Sequence, residues 1–122
     1  MANILWRSLI ILLFLIFAGF VVLQYNDPDP TLWMALYGVG AVWTGIAAFA
    51  PRLLRSSTAG WLLLICLLAA FGGLVYYWPQ ASGWWLKDVW WHNEEAREGM
   101  GMMILAAGIL IVAGQRLLSR QA

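Results

Sequence analysis

The residues of this sequence that could do chemistry gather in two short stretches, and the first is residues 24–30. It places the amide of Asn26 and the carboxylates of Asp27 and Asp29 directly after a long apolar run. Asp29 followed by Pro30 is also a common helix start, with a carboxylate at the N-cap and proline at the first helical position. Asn26 and Asp27 likewise suit an Asx turn. The stretch is more acidic than a turn requires, so a binding role and a structural role both stay open.

The second stretch, residues 92–98, combines His92 with three glutamates and one arginine. Glu94 and Glu98 would share a helix face as an i, i+4 pair, a like-charge arrangement that is unfavourable unless a cation lies near it. Acids at a helix start also gain from the helix macrodipole, which offers a structural alternative. A guanidinium among carboxylates is well placed for bidentate binding, so we expect Arg97 to bridge this stretch to the acids of the first.

Oxygen-rich sets of this kind suit a hard divalent cation, and they also suit a cationic or polar headgroup. One histidine and one cysteine, Cys66, make neither a zinc or haem site nor an intrachain disulfide. We recognise no nucleophile with its base and no nucleotide-binding loop, so the sequence predicts no reaction. The predicted metal ligands are Asp27, Asp29, Glu95 and Glu98, and the wider predicted binding set adds Asn26, His92 and Arg97.

The composition indicates where these stretches must lie. Apolar residues make up 63% of the chain, charged residues 11%, and the mean hydropathy is +0.77. Soluble globular domains are far more polar, so the chain is predicted to be an integral membrane protein whose first partner is the lipid bilayer. The net charge of +1 suggests no nucleic-acid partner.

Four uncharged runs have the length that a hydrocarbon core of about 30 Å requires of a helix, about 20 residues. They predict an all-α, polytopic four-helix bundle that forms a single transmembrane domain over residues 1–122. The first run is too long for a signal peptide and is expected to be retained. Ser57 or Thr58 is predicted to cap the third helix. The spans are predicted at residues 5–24, 31–50, 59–78 and 99–116.

Tryptophans crowd the segment between the third and fourth spans, which is too polar to cross a membrane. Aromatic side chains with a few charges are typical of an interfacial or re-entrant helix at headgroup depth. These residues, with two aromatics of the second span, are predicted to be structural or to form an interface: Trp33, Tyr37, Trp84, Trp85, Trp90 and Trp91.

Small residues recur at helical spacing and suggest close helix packing. They leave open a second function, in which the chain is a homo-oligomer or an assembly subunit that docks another membrane protein. The stripes are Gly38, Ala41, Gly45 and Ala48 in the second span, Ala69 and Gly73 in the third, and Gly101 and Gly108 in the fourth.

Basic residues predict the orientation, because short cytoplasmic loops are rich in Lys and Arg. Five arginines lie at one end of the spans, whereas Lys87, Arg97 and all six acids lie at the other. Both termini are therefore predicted to be cytoplasmic, in a bacterial inner (plasma) membrane, with the acidic stretches facing outward. The arginines are Arg7, Arg52, Arg55, Arg116 and Arg120.

The two acidic stretches together resemble the transmembrane protein 220 family. The resemblance implies a small helical protein embedded in the membrane, without an assigned reaction. It therefore supports the fold and the choice of residues, and it implies no activity. The residues that carry it are Gln24, Tyr25, Asn26, Asp27, Pro28 and Asp29, then Trp33 and Tyr37, and finally Glu94, Glu95, Ala96, Arg97 and Glu98.

Overall fold

The computed structural model describes the backbone of residues 2–121 and the side chains of residues 4–119. Within that range the chain forms five α-helices and two short 3-10 turns, and it has no strand, so the predicted all-α class is confirmed. The helices are α1 (Ala2–Leu23), α2 (Pro30–Phe49), α3 (Ser57–Tyr76), α4 (Lys87–His92) and α5 (Glu94–Gln121); the turns are Gln24–Asn26 and Pro51–Arg55.

Four helices, α1, α2, α3 and α5, are long and apolar enough to cross a membrane. Large apolar side chains cover their outer surfaces: on α3, Trp61 is 68% exposed, Leu68 64% and Val75 79%. Such a surface suits hydrocarbon, because each helix already satisfies its own backbone hydrogen bonds. The predicted polytopic bundle is confirmed, with α4 as the additional tryptophan-rich segment before α5.

The helices α2 and α5 form the centre of the bundle, with α1 packed on α2 and α3 packed on α5. Phe17 of α1, which is fully buried, lies between Gly40 of α2 and Gly108 of α5. A Cβ added at Gly40 would lie 2.9 Å from the phenyl ring, and one at Gly108 would lie 2.6 Å from it. The two glycines therefore let three helices meet around one aromatic side chain.

Several of the predicted small residues are used for packing inside the chain. A Cβ added at Gly45 of α2 would lie 3.2 Å from the ring of Phe14 on α1, and one added at Gly73 of α3 would meet Met102 of α5. Gly38, in contrast, has open space where its Cβ would be. The close approach predicted for these faces thus occurs, at Gly45 and Gly73, between helices of the same chain.

One end of the bundle, here called the basic end, is held by side chains that bind carbonyl groups. Gln115 of α5 donates to the carbonyl of Ala47 (3.0 Å) and accepts from the indole of Trp6 (2.6 Å). Arg116 donates from Nε to the carbonyl of Leu54 (2.7 Å). Arg7, Arg52, Arg55 and Arg116 all lie at this end, and the side chain of Arg120 lies outside the described residues.

The prediction that Ser57 or Thr58 caps α3 is wrong by one residue. Ser56 is the N-cap, and its Oγ accepts a hydrogen bond from the backbone N–H of Ala59 at 3.0 Å. The 3-10 turn at Pro51–Arg55 leaves Ser56 in extended backbone, with φ −69° and ψ 153°. That conformation is the one an N-cap needs, because it aims the side-chain oxygen at the first free N–H groups of the helix.

The opposite end, here called the acidic end, holds the starts of α2 and α5. Pro30 opens α2 and Asp29 occupies its N-cap position, as predicted, but the Asp29 side chain makes no capping hydrogen bond. Asn93 caps α5, because its Oδ1 accepts from the N–H of Ala96 at 2.8 Å. This cap starts α5 at Glu94, ahead of the predicted span start at residue 99, and brings the second acidic stretch into the helix.

Candidate cation site

Glu98 of α5 is held in place by Trp33 of α2. The Trp33 indole N–H donates to Glu98 Oε2 at 3.0 Å, and the tryptophan is only 1% exposed. The indole ring packs against Tyr37 and Tyr77, with ring centroids 5.7 Å and 5.2 Å away. Because the donor is packed on several sides, the half-buried carboxylate that it binds has a defined position.

Two further carboxylates converge on Glu98. Asp27 comes from the loop between α1 and α2, and Glu94 lies one turn before Glu98 on α5. One carboxylate oxygen from each of the three residues lies within 4.8 Å of the other two. Oxygens bound to one Ca²⁺ at about 2.3–2.6 Å lie at most about 5 Å apart, so this spacing suits a single ion. These three residues are called the acidic triad below.

The acidic triad borders a small cavity of about 90 Å³. About 10–15 Å³ of such water-accessible volume is enough to hold one water, so the cavity has room for an ion with a few waters. Three carboxylates leave coordination positions open, because Ca²⁺ takes about 6–8 oxygen ligands and Mg²⁺ usually keeps several waters. The other residues that line the cavity are Gln24, Trp33, Tyr37 and Arg97.

Arg97 lies beside the acidic triad but binds elsewhere. Its Nη1 donates to the carbonyls of Trp90 (3.0 Å) and Trp91 (2.8 Å). Those carbonyls belong to the last turn of α4, where a helix has no backbone partners for them. The hydrogen bonds described for Arg97 therefore join α5 to α4, in place of the predicted bridge to the first acidic stretch.

A larger cleft of about 490 Å³ adjoins the small cavity and runs between α1 and α5. Asp27 and Arg97 line both spaces. The cleft walls become apolar toward the middle of the bundle, where Phe20 and Ile104 face it. The acidic end thus has a small polar cavity opening into a cleft that is polar at one end and apolar at the other.

Comparison with known proteins supports the resemblance seen in the sequence. The family model described as "Transmembrane family 220, helix" matches residues 5–114. The chain belongs to this family. A curated relative, "Transmembrane protein 220" from Xenopus laevis, is 27% identical over 115 residues, which is 88% of this chain and 58% of the relative. The chain therefore spans a little over half the length of that relative, and no solved structure matches it.

The structure brings together only part of the predicted binding set of this family 220 chain. Asp27 and Glu98 are in the acidic triad, and Asn26 lines the adjoining cleft. Asp29 and His92 are exposed and border neither space. Among the described residues, Glu95 instead accepts a hydrogen bond from the backbone N–H of Gln80 at 3.1 Å.

Glu94 is the triad member absent from the predicted set. The signal that could have found it is the i, i+4 spacing of Glu94 and Glu98, which places both on one helix face. Glu95 lies about 100° further round the same helix, so its side chain leaves the helix on a different face from those of Glu94 and Glu98. Helical phase therefore distinguishes the triad member from the residue beside it.

The predicted interface aromatics have separate positions. Trp33 and Tyr37 are buried beside the acidic triad, whereas Trp85 and Trp91 are 60% and 61% exposed. The Trp85 ring lies edge to face against the Trp84 ring, with centroids 5.4 Å apart. Trp91 lies in the same way against Trp90, with centroids 6.0 Å apart. Such amphipathic rings suit the membrane interface.

Proposed function

We propose that this member of family 220 binds a divalent cation at its acidic end, through the carboxylates of Asp27, Glu94 and Glu98. The observation that carries the proposal is the convergence of three carboxylate oxygens within 4.8 Å of one another. The indole of Trp33, which is itself buried, aims one of the three into the group.

A bound cation explains why these carboxylates lie together. Like charges at i, i+4 on one helix repel, and a third acid from another segment adds to that repulsion. Arg97 is the nearest cationic side chain on α5, but its described hydrogen bonds go to the carbonyls of α4. An ion in the small cavity would supply the opposite charge.

The chemistry of the donors favours a hard ion. All three candidate ligands are carboxylate oxygens, which suit Ca²⁺, Mg²⁺ and Mn²⁺. Near them, Gln24 adds an amide side chain to the cavity wall. The membrane orientation proposed with this function places the basic end in the cytoplasm and the acidic end outside, so the site would meet the external medium.

A second function, the docking of another membrane subunit through small-residue faces, stays a prediction from the sequence. Gly45 and Gly73 pack against helices of the same chain. We therefore base the proposal on the acidic triad alone.

Thermal unfolding in detergent, with and without CaCl₂, MgCl₂ or MnCl₂, tests cation binding. A ligand at about 100 times its Kd stabilises the folded state by about 2.7 kcal/mol, so the midpoint of the unmodified protein should rise on addition of the preferred ion and fall back with EDTA. The double variant Glu94→Gln/Glu98→Gln should lose this response. Without the ion it should be at least as stable as the parent, because repulsion is relieved.

Glu95→Gln is the matched control, since Glu95 is the neighbouring glutamate on the same helix turn and lies outside the triad. It should keep the ion-dependent rise in the midpoint. If divalent ions leave the parent midpoint unmoved, or if the control loses the response together with the double variant, the triad is a structural cluster and the proposal is wrong.

A further inference from the structure

The cleft between α1 and α5 is closed at its end nearest the middle of the bundle. Phe17 of α1 packs against Gly108 of α5, and this contact closes the gap between the two helices near mid-bundle. Above it, Phe20 and Ile104 line the cleft, and Leu23, which is 66% exposed, forms part of its outer edge. The cleft therefore begins within the apolar part of the bundle and opens toward the acidic end.

The part of the cleft nearest the acidic end of the bundle carries both signs of charge. Asp27 and Arg97 line it, with the side-chain amide residues Gln24 and Asn26 beside them. Both described hydrogen bonds of the guanidinium come from Nη1, which leaves Nε and Nη2 as donors. Trp90 adds an indole to the same wall. An occupant thus meets a cationic donor and an anionic acceptor above an apolar channel.

We propose that this cleft binds an aminophospholipid of the surrounding bilayer, of the phosphatidylethanolamine type. Its phosphate would accept hydrogen bonds from Arg97, its ammonium group would donate to Asp27, and part of one acyl chain would follow the channel between Phe20 and Ile104. The volume of about 490 Å³ is of the size found in small-molecule sites, about 300–1,000 Å³.

Charge complementarity selects this class of lipid. A guanidinium binds phosphate through paired N–H donors, so any phospholipid could use Arg97. An anionic headgroup would also meet the repulsion of Asp27, with Glu94 and Glu98 close behind it. A zwitterionic headgroup also carries a positive group, which these carboxylates attract. An ammonium group has N–H donors for a carboxylate, which the trimethylammonium of phosphatidylcholine lacks.

Native mass spectrometry of the full chain tests the proposal. The detergent-solubilised protein is mixed with equimolar dioleoyl phosphatidylethanolamine, phosphatidylcholine and phosphatidylglycerol. EDTA is present throughout, so the result does not depend on cation binding at the acidic triad. We expect one bound phosphatidylethanolamine per chain, preferred about tenfold over each of the other two lipids, as one extra charge-assisted hydrogen bond would give.

Two variants of neighbouring residues separate the cleft from the general lipid surface. Leu23→Trp should fill the outer edge of the cleft and reduce bound phosphatidylethanolamine about tenfold, the effect of losing one well-packed chain segment. Val22→Trp is the matched control, because Val22 is 67% exposed, as Leu23 is at 66%, and it does not line the cleft. It should leave the bound lipid unchanged.

Asp27→Asn tests the headgroup without altering the channel. It removes the negative charge that attracts the ammonium group and repels an anionic headgroup, so the preference should move from phosphatidylethanolamine toward phosphatidylglycerol. An unchanged preference, equal retention of phosphatidylcholine, or equal losses in Leu23→Trp and Val22→Trp would each overturn the proposal. If Leu23→Trp does not fold, the selectivity of Asp27→Asn decides it.

Discussion

At the scale of single residues, the contact that organises the acidic end is the hydrogen bond from Trp33 to Glu98. It joins α2 to α5 and sets the position of one carboxylate of the acidic triad. Hydrogen bonds to charged groups contribute about 1.5–3 kcal/mol to stability, more than those between neutral groups. The indole therefore acts both as a core side chain and as the donor that positions a candidate ligand.

Trp33→Phe should lower the free energy of unfolding by about 1.5–3 kcal/mol beyond the loss of ring volume, because it leaves Glu98 without its donor. Trp43→Phe is the control: Trp43 is 7% exposed, and no hydrogen bond of its indole is seen among the described residues. Denaturant unfolding in detergent measures both. The hydrogen bond also predicts coupling: Glu98→Gln should favour the folded state more in the Trp33→Phe background, where the carboxylate has lost its donor, than in the parent. Equal costs for the two tryptophan variants, with strict additivity, would contradict this assignment.

At the scale of helices, glycine decides which faces can approach. Phe17 lies between α2 and α5 only because Gly40 and Gly108 have no side chains there. The same contact closes the end of the cleft nearest the middle of the bundle and so limits how deeply an acyl chain can enter it. Gly114, further along α5, has open space at its Cβ position and carries no such constraint.

Gly108→Ala should destabilise the protein by about 1–3 kcal/mol, the usual cost of overpacking a core. Its new methyl group would lie 2.6 Å from a phenyl ring that is fully buried between α2 and α5. Gly114→Ala on the same helix should be neutral or slightly stabilising, because alanine is the better helix former. Unfolding of both variants in the same detergent measures the difference. A Gly108→Ala variant as stable as Gly114→Ala would mean that the three helices do not meet closely at Phe17.

At the scale of the whole molecule, charge is separated along the bundle. The described arginines Arg7, Arg52, Arg55 and Arg116 lie at the basic end, beside the side-chain bonds that hold α5 to Ala47 and Leu54. The acidic triad lies at the other end. Basic residues in short loops favour the cytoplasmic side, so this separation predicts an orientation.

Reporter domains fused after Arg55 and after Ala122 should be cytoplasmic, and one inserted near Ser82 should be external. The physical reason is the retention of Lys- and Arg-rich loops on the cytoplasmic side. Alkaline phosphatase and green fluorescent protein fusions give opposite readouts for the two sides and check each other. An external reporter after Arg55 would reverse the orientation and move the acidic triad to the cytoplasmic face.

The sequence alone was sufficient to predict the four membrane-spanning helices and the separation of charge along the bundle. Both depend on local properties, namely the length of an apolar run and the position of charged residues at its ends. From the sequence, Asp27 and Glu98 are candidate ligands on the same ground as Asp29 and Glu95, since all four lie where an apolar span begins or ends. The start of α5 was harder to predict from the sequence, because the cap at Asn93 begins the helix at Glu94.

Only the tertiary structure decided which acids converge. The 3-10 turn after α1 places Asp27 in the acidic triad while Asp29 stays exposed, and the phase of α5 selects Glu94 over Glu95. The partner of Arg97 also depends on the fold, because the free carbonyls at the end of α4 lie within its reach. These outcomes depend on distances between segments far apart in the chain, and residue type and spacing within one segment do not determine such distances.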